Sequence, residues 1–358
     1  MAKRVVVGMS GGVDSSVAAW LLKEQGFDVV GLFMHNWKET GDDGVCTAEQ
    51  DYADVRRVAN LIGIPYYTVD LSKEYWDGVF SHFLDEYKKG RTPNPDVLCN
   101  REIKFGAFKR EAEKQGADFI ATGHYCGVLR ADGRTYLTRS RDENKDQTYF
   151  LNQVTEEQIK NVLFPLENVT KPEVRALAEK IGLPTANKKD STGVCFIGER
   201  NFRAFLSGYL PMKKGEIRTL DGQVVGEHEG VYYYTIGQHK GFGLGGVKGC
   251  DNVEPWYVVK KDVENNVLYV HQGEPEELFS TVVLTEEFHC ITDDVPDGKE
   301  VTARIRHRQP LQKATFFKTE DGAKIVFDER QRAVAPGQYC VLYDDRICLG
   351  GGVIKGSF

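Results

Sequence analysis

Several things are missing from these 358 residues, and each absence removes a class of protein. Long apolar runs are missing at the start: MAKRVVVGMSGG breaks its apolar stretch with glycines, which excludes a signal peptide or a membrane-spanning start. A cytoplasmic protein with no membrane partner is the expectation. CxxC spacing is missing, although cysteines stand at 46, 99, 126, 195, 250, 290, 340 and 348. A zinc knuckle or ribbon is thereby excluded, and no bound metal is expected from spacing. In a reducing cytosol each cysteine defaults to a small buried hydrophobe. An excess of positive charge is missing too. The net charge of −7 argues against broad, unspecific nucleic-acid binding and leaves room only for local basic patches. Repeats and low-complexity tracts are absent.

What is present suits two or three globular domains, each able to bury a core. From residue 4 to about 125, strand and helix alternate. Val5–Met9 is a continuous apolar run, as in a strand buried on both faces. Val13, Val17, Ala18, Leu21 and Leu22 then recur at helical spacing until Gly26. FDVVGLFMH predicts a second strand, Thr47 with Gln50 a capping box for a helix ending at Gly63, and IPYYTVDL a third strand. Helices over 72–89 and 101–115 and a strand at DFIATG follow. This is the rhythm of a parallel sheet with crossover helices, in which ligands sit at the carboxyl ends of strands. YCGVLRADGRTYLTRS predicts a hairpin about Asp132-Gly133, and Thr170 with Glu173 a capping box for a helix that Gly182 ends. After about residue 205, short β-rich runs between turn signals predict a small β-rich central domain, then a C-terminal β-barrel.

The turn after the first strand, SGGVDSS, holds Ser10, Gly11, Gly12, Val13, Asp14 and Ser15 at a strand-to-helix junction. Backbone N–H groups and the positive end of the helix there suit an anion. The Walker pattern GxxxxGK[ST] needs a lysine, and none stands here. SGGVDS instead matches the pyrophosphate loop of enzymes that cleave ATP at the α-phosphate. A tight turn with a Ser or Asp helix cap is the plain alternative.

RTPNPDVLCNREIKF is the second unusual stretch. Pro93 and Pro95 predict a stiff extended loop, with Cys99 at the mouth of a helix beginning near Arg101. Helix dipoles and the nearby Arg101 or Lys104 favour a thiolate there. Asp96 is an acid or base, or a cap. KKDSTGVCFIGER places Cys195 in another loop. One thiolate can carry a persulfide sulfur while the other resolves it. Arg304, Arg306 and Arg308 alternate along a predicted strand, so all three project from one face, suited to phosphates or simply to solvent. Tyr232–Tyr234 are assigned to packing.

With SGGVDSS, TPNPDVLCNREIKF, ATGHY, KDQTYFL, STGVCFIGER, YTIGQHKGFG, RIRHRQ and APGQ together, the chain resembles the tRNA-specific 2-thiouridylases of the MnmA/TrmU family. That resemblance implies an α/β, parallel-sheet pyrophosphate-loop ATPase domain of the adenine nucleotide α-hydrolase type over residues 1–205. A tRNA-contacting central domain would cover 206–278 and a tRNA-binding β-barrel 279–358. It implies ATP-dependent 2-thiolation of the wobble uridine of tRNAs for Lys, Glu and Gln, through adenylylation of the base O2. Gly8, Met9, Ser10, Gly11, Gly12, Val13, Asp14, Ser15, Met34 and Gly123 would bind ATP, with Mg²⁺ screening the phosphates and Asp14 near it. Cys195 would accept a persulfide from a cysteine desulfurase or sulfur relay protein, and Cys99 would be the second nucleophile. Whether Cys99 releases hydrosulfide from Cys195 or resolves the intermediate, both routes would end in a Cys99–Cys195 disulfide. Asn94, Pro95 and Asp96 would meet the flipped-out base, with Asp96 moving the proton. His124, Lys145, Asp146, Gln147, His307, Arg308 and Gln338 would contact tRNA. Three alternatives stay open: another adenylylating enzyme with the same loop, an iron–sulfur tRNA thiolase using Cys99, Cys195 and Asp96, and a nucleotide-sensing tRNA-binding module.

Overall fold

The computed structural model describes residues 2–37, 47–190, 202–241, 243–244 and 254–358. Cys46, Cys195 and Cys250 lie outside the described residues. Strands β1 (Arg4–Gly8), β2 (Asp28–His35), β3 (Tyr66–Asp70) and β4 (Phe119–Ala121) lead to the hairpin β5 (Cys126–Ala131) and β6 (Arg134–Arg139), then to a short β7 (Val162–Leu163). Five of these form a parallel sheet in the order β3-β2-β1-β4-β7. β1 is central because Val5, Val6 and Val7 have no polar side to offer, and all three are fully buried. Val5 and Val7 pack with helices α1 (Val13–Glu24) and α2 (Thr47–Ile62) on one face, while Val6, Val30 and Leu32 pack on the other. Glycines with positive φ close both helices, Gly26 at +84° and Gly63 at +71°, as the sequence predicts.

The opposite face is covered by two long helical stretches, 72–88 and 95–114, each widened by π-turns. The second corrects a sequence expectation. The helix begins at Pro95, with Asn94 as its N-cap, and not near Arg101. Proline's fixed φ suits the first helical position, so Pro95 starts the helix instead of stiffening a loop. Cys99 therefore lies one turn inside the helix and is 1% exposed.

The central region forms a four-stranded sheet in the order β10-β11-β8-β9, from β8 (Gly215–Thr219), β9 (Val224–His228), β10 (Trp256–Asp262) and β11 (Val267–Gln272). Tyr234 is buried in its core, consistent with packing. The C-terminal strands are β12 (Phe279–Cys290), β13 (Lys299–Arg304), β14 (Gln312–Thr319), β15 (Gly322–Arg332), β16 (Tyr339–Asp344) and β17 (Ile347–Ser357). They run β12-β15-β14-β13-β16-β17, and a β12–β17 pairing closes the barrel.

The barrel is not a separate appendage. The β5–β6 hairpin, which turns at Asp132 and Gly133 as predicted, leaves the parallel sheet and joins β17. Leu137 pairs with Cys348 and Thr138 with Ile347. Beside that seam Arg304 is 3% exposed and pairs with Asp146, which is 1% exposed. The same guanidinium donates to the Tyr343 hydroxyl at 2.8 and 3.0 Å. The idea of three arginines on one outward face is thus corrected. β13 ends at Arg304, which turns inward, and of the three only Arg308 is exposed.

Breaking a buried ion pair from one side leaves an uncompensated charge and costs about 3–5 kcal/mol. Asp146→Leu is therefore expected to lower unfolding stability by about that amount, with Arg304→Met/Asp146→Leu regaining much of it. Urea unfolding of the single and double variants checks this; a double variant no more stable than the worse single variant would contradict it.

Candidate active site

Of the residues expected to bind ATP, the Gly8–Ser15 turn and Gly123 meet at the point where strand order reverses, between β1 and β4. Gly8 ends β1, and Gly11 takes φ +74°, where an added Cβ would lie 2.6 Å from the Asp51 carbonyl oxygen. Gly12 caps α1 without a side chain. The turn is instead braced from within: Ser15 Oγ accepts from the Ser10 N–H at 3.2 Å, and Ser16 Oγ donates to the Gly12 carbonyl at 2.8 Å. Met9 is buried, and Val13 and Ser15 are nearly so. Met34 lies near the end of β2. Gly123, after β4, presses on the first turn of α1, because a Cβ there would stand 2.7 Å from the Ser15 nitrogen. The loops after β1 and β4 thus meet, as the parallel-sheet rule predicts, with Met34 at the end of the adjacent strand β2.

Asp14 does not cap the helix. Its carboxylate accepts from the Tyr125 hydroxyl at 2.8 Å and from Lys171 Nζ at 2.7 and 2.8 Å. Burial first, and Asp14 second, push the Tyr125 phenol up, so it stays a donor. Lys171 also reaches Asp190 at 2.7 Å, and Lys145 and Arg175 meet the same carboxylate at 2.7 Å. Burial pushes the Asp190 carboxyl up, but the hydrogen bonds from Lys145 and Lys171 outweigh it and hold the group at about 2. On the other flank Lys188 Nζ lies 3.0 Å from the Gly11 carbonyl oxygen, 2.7 Å from Asp51 and 2.6 Å from Asp54. Burial lowers the Lys188 pKa, yet hydrogen bonds to Asp51 and Asp54 raise it on balance.

Two lysines therefore flank a loop that has none of its own. Sequence reading missed both as partners of this loop. The capping box at Thr170–Glu173 was the available signal, since it puts Lys171 at the first helical position.

The 95–114 helix, which bears Asp96 and Cys99, reaches the same region through its later turns. Phe108 underlies Gly8, and Lys104 Nζ sits 3.3 Å from His124 Nε2 in the loop after β4. The lysine can only donate, which leaves His124 Nδ1–H to donate to Thr122 at 2.7 Å. Burial, then Lys104, lowers the His124 pKa well below its ordinary value, so the ring is neutral. Cys195, the expected partner of Cys99, lies outside the described residues. Of the other described cysteines, Cys290 is part-buried beside Asp294, and three are packing groups: burial pushes the thiols of Cys126 and Cys340 far up and that of Cys348 to about 12.

The residues expected at tRNA divide. Arg308 is exposed, and Lys145 is half-buried on Asp190. Gln147 accepts from the Tyr125 N–H at 2.9 Å, and Gln338 donates to the Thr92 carbonyl at 2.8 Å. His307 Nε2 lies 3.0 Å from the Asp146 carbonyl. Asp146 is a correction: its carboxylate is sealed against Arg304 and Thr148, so it holds the barrel and faces no solvent. KDQTYFL is largely an interface segment, with Thr148, Tyr149 and Leu151 fully buried. Among the described residues no cluster of three or more His, Cys, Asp or Glu side chains could hold a metal ion, and Asp14 is already occupied by Lys171.

This combination defines a class: a HUP-type α/β domain followed by a PRC-barrel domain and a β-barrel. A family model described as a tRNA methyl transferase HUP domain matches residues 3–199. A tRNA methyl transferase PRC-barrel domain matches 203–272, and an aminomethyltransferase beta-barrel domain matches 280–354. Among curated relatives, the tRNA-specific 2-thiouridylase MnmA of Streptococcus mutans serotype c is 57% identical, covering 99% of this chain and 96% of its own. MnmA 1 of Geobacillus kaustophilus is 58% identical over 98% of this chain and 95% of its own, and MnmA of Listeria monocytogenes serotype 4b is 58% identical over 98% and 94%. The chain belongs to the tRNA-specific 2-thiouridylase MnmA family. Among the described residues no helix is long and apolar enough to cross a membrane.

The Asp190 cluster has a pH signature. Its folded carboxyl lies at about 2, below the unfolded value of about 3.9. Its contribution is therefore present above about pH 4 and lost as pH falls toward 2. The stability gap between the wild type and Asp190→Asn in urea should be flat from pH 5 to 7 and narrow through that acid window. A gap unchanged down to pH 2 would contradict the assignment.

Proposed function

We infer that this chain is a tRNA sulfurtransferase that makes 2-thiouridine at the wobble position of tRNAs for Lys, Glu and Gln, using ATP. The observation that carries this reading is the meeting of three elements: a lysine-free pyrophosphate-type turn after β1, the Gly123 loop pressed on it, and a helix bearing Asp96 and Cys99. Lys104 and His124 link that helix to the Gly123 loop at 3.3 Å. The family models are described by methyl transfer and the relatives by thiolation. A cysteine carried by the helix that reaches the adenylylation-type turn supports thiolation.

The turn from Gly8 to Ser15 offers its N–H groups to the phosphates, with Met34 and Gly123 beside the nucleoside. Lys171 and Lys188 supply the positive charge that a Walker lysine would bring. Asn94 and Pro95 place the extruded uridine with O2 toward the α-phosphate. Attack of O2 forms the O–P bond and expels pyrophosphate, so the oxygen can leave as AMP. Asp96 handles the proton of the base. Sulfur from a persulfide on Cys195, delivered by a desulfurase or relay protein, forms the C–S bond at C2 as the C–O bond breaks. Cys99 then cleaves the remaining S–S bond, or frees hydrosulfide beforehand. Either way the two thiols end as a disulfide that an external reductant reopens. Mg²⁺ would arrive with the nucleotide, and Asp14, paired with Lys171 in its absence, would be free to approach the ion once Lys171 turns to the phosphates. Lys145, Gln147, His307, Arg308 and Gln338 are the proposed tRNA-facing groups, without the expected His124, which is buried between Lys104 and Thr122; residues 1–205, 206–278 and 279–358 are the proposed functional units.

The test supplies unmodified glutamate tRNA, Mg²⁺-ATP and a persulfide source, then reads thiouridine by mass spectrometry of the digested tRNA. Wild type is expected to exchange one oxygen for sulfur at the wobble uridine. Cys99→Ala and Cys195→Ala should abolish persulfide-driven transfer, and Asp96→Asn should slow it by about a hundredfold or more. Pyrophosphate release without sulfur uptake would point to another acceptor and overturn the reading.

A further inference from the structure

The segment that leads into Asp96 and Cys99 has little to hold itself in place. Pro93 and Pro95 donate no backbone hydrogen bond, and Asn94 caps the helix without a side-chain bond. Its position is fixed from outside. The Thr92 N–H donates to the Pro336 carbonyl at 2.8 Å, and the Thr92 carbonyl accepts from Gln338 Nε2 at 2.8 Å. The Tyr149 hydroxyl lies 3.4 Å from the Gln338 Oε1, while its proton goes to the closer Tyr339 carbonyl at 3.0 Å. Between the two clamp residues Gly337 takes φ +92°, and a Cβ there would lie 2.9 Å from both the Arg91 Cβ and the Thr92 nitrogen.

The other regions converge on the same two residues. Arg91 pairs with Glu286 of β12 and lies 3.2 Å from Glu86. The Thr92 hydroxyl lies 3.3 Å from that of Thr235 in the central region. Two residues on, Gly237 abuts the barrel loop, since its Cβ would fall 2.4 Å from the Ala333 Cβ.

We propose that the barrel turn Ala335–Gln338 is a positioning device for the 91–96 turn. Gly337 and Gln338, acting through Thr92, set where Asn94, Asp96 and Cys99 stand relative to the pyrophosphate-type turn. The barrel thus does more than hold RNA: it sets the catalytic turn, and a tRNA contact on Gln338 competes for the amide that clamps Thr92. The proposal rests on the reading that Asp96 and Cys99 perform the chemistry.

The decisive variant is Gly337→Ala in the full chain, with Gly298→Ala as its control. Gly298 has φ +74° in the same barrel but nothing within 4 Å of an added Cβ, so it suffers the backbone strain without the contact. Gly337→Ala is expected to lower kcat for tRNA thiolation at least tenfold. Affinities for tRNA and for a non-hydrolysable ATP analogue should stay within twofold. Gly298→Ala, matched for its loss of Tm, should keep kcat within twofold. A Gly337→Ala enzyme within twofold of wild-type kcat, or an equal loss in Gly298→Ala, overturns the proposal. If the wild type makes no thiouridine, the functional reading fails separately. Iodoacetamide labelling of Cys99, read by peptide mass spectrometry, then decides: a rate change of at least threefold confined to Gly337→Ala supports the positioning role, and identical rates in both variants refute it.

Discussion

The architecture depends on one buried contact, the Arg304–Asp146 pair. A guanidinium and a carboxylate are costly to bring out of water, and these two are compensated because Tyr343, Thr148 and the His307 carbonyl complete their hydrogen bonding and Arg139 lies 3.6 Å from the carboxylate. The pair sits where the β5–β6 hairpin crosses from the parallel sheet to the barrel. Its geometry is therefore shared by both units. Tyr149 extends the seam by donating to the Tyr339 carbonyl at 3.0 Å, and Gln153 does so by donating to the Gly351 carbonyl at 2.8 Å. With the seam in place, the barrel loop at 333–338 can reach the 91–94 segment and hold it.

The same logic governs charge around the glycine turn. Four carboxylates, Asp14, Asp51, Asp54 and Asp190, neutralise Lys171 and Lys188 beside a helix start that no side chain caps. A triphosphate entering this crevice would exchange partners with those carboxylates and would not meet bare cations. On the proposed reading, the turn after β1 would hold phosphate without a lysine of its own, because cations from the Lys171 helix and the 186–190 segment stand at its sides.

Much of this was legible in the sequence wherever the signal is local. The apolar runs of β1 and β2, the glycines closing α1 and α2, the Thr170–Glu173 capping box and the Asp132-Gly133 turn all act within a few residues. The approach of the Gly123 loop to the turn after β1 followed from the parallel-sheet rule. Long-range partnership left no local trace. Arg304 and Asp146 are 158 residues apart, so an alternating RIRHR run looked like a solvent-facing strand when its first arginine is a core residue. Gln338 and Thr92 are 246 apart, and nothing in APGQ announces that its glycine is needed against another loop. The helix start at Pro95 was misplaced for a different reason: two prolines spaced by one residue predict an extended chain equally well, and only the packing of Val97, Leu98 and Cys99 into the core decides for helix.

The central claim is that the barrel and the turn before Asp96 move as one unit. Native-state hydrogen exchange at the Thr92 amide tests it most directly, because that amide's bond to Pro336 is the clamp itself. The account predicts that Thr92 exchanges as slowly as the Val341 amide in the barrel wall, and with the same dependence on added denaturant. Exchange of Thr92 at the rate of an open loop while Val341 stays protected would contradict it.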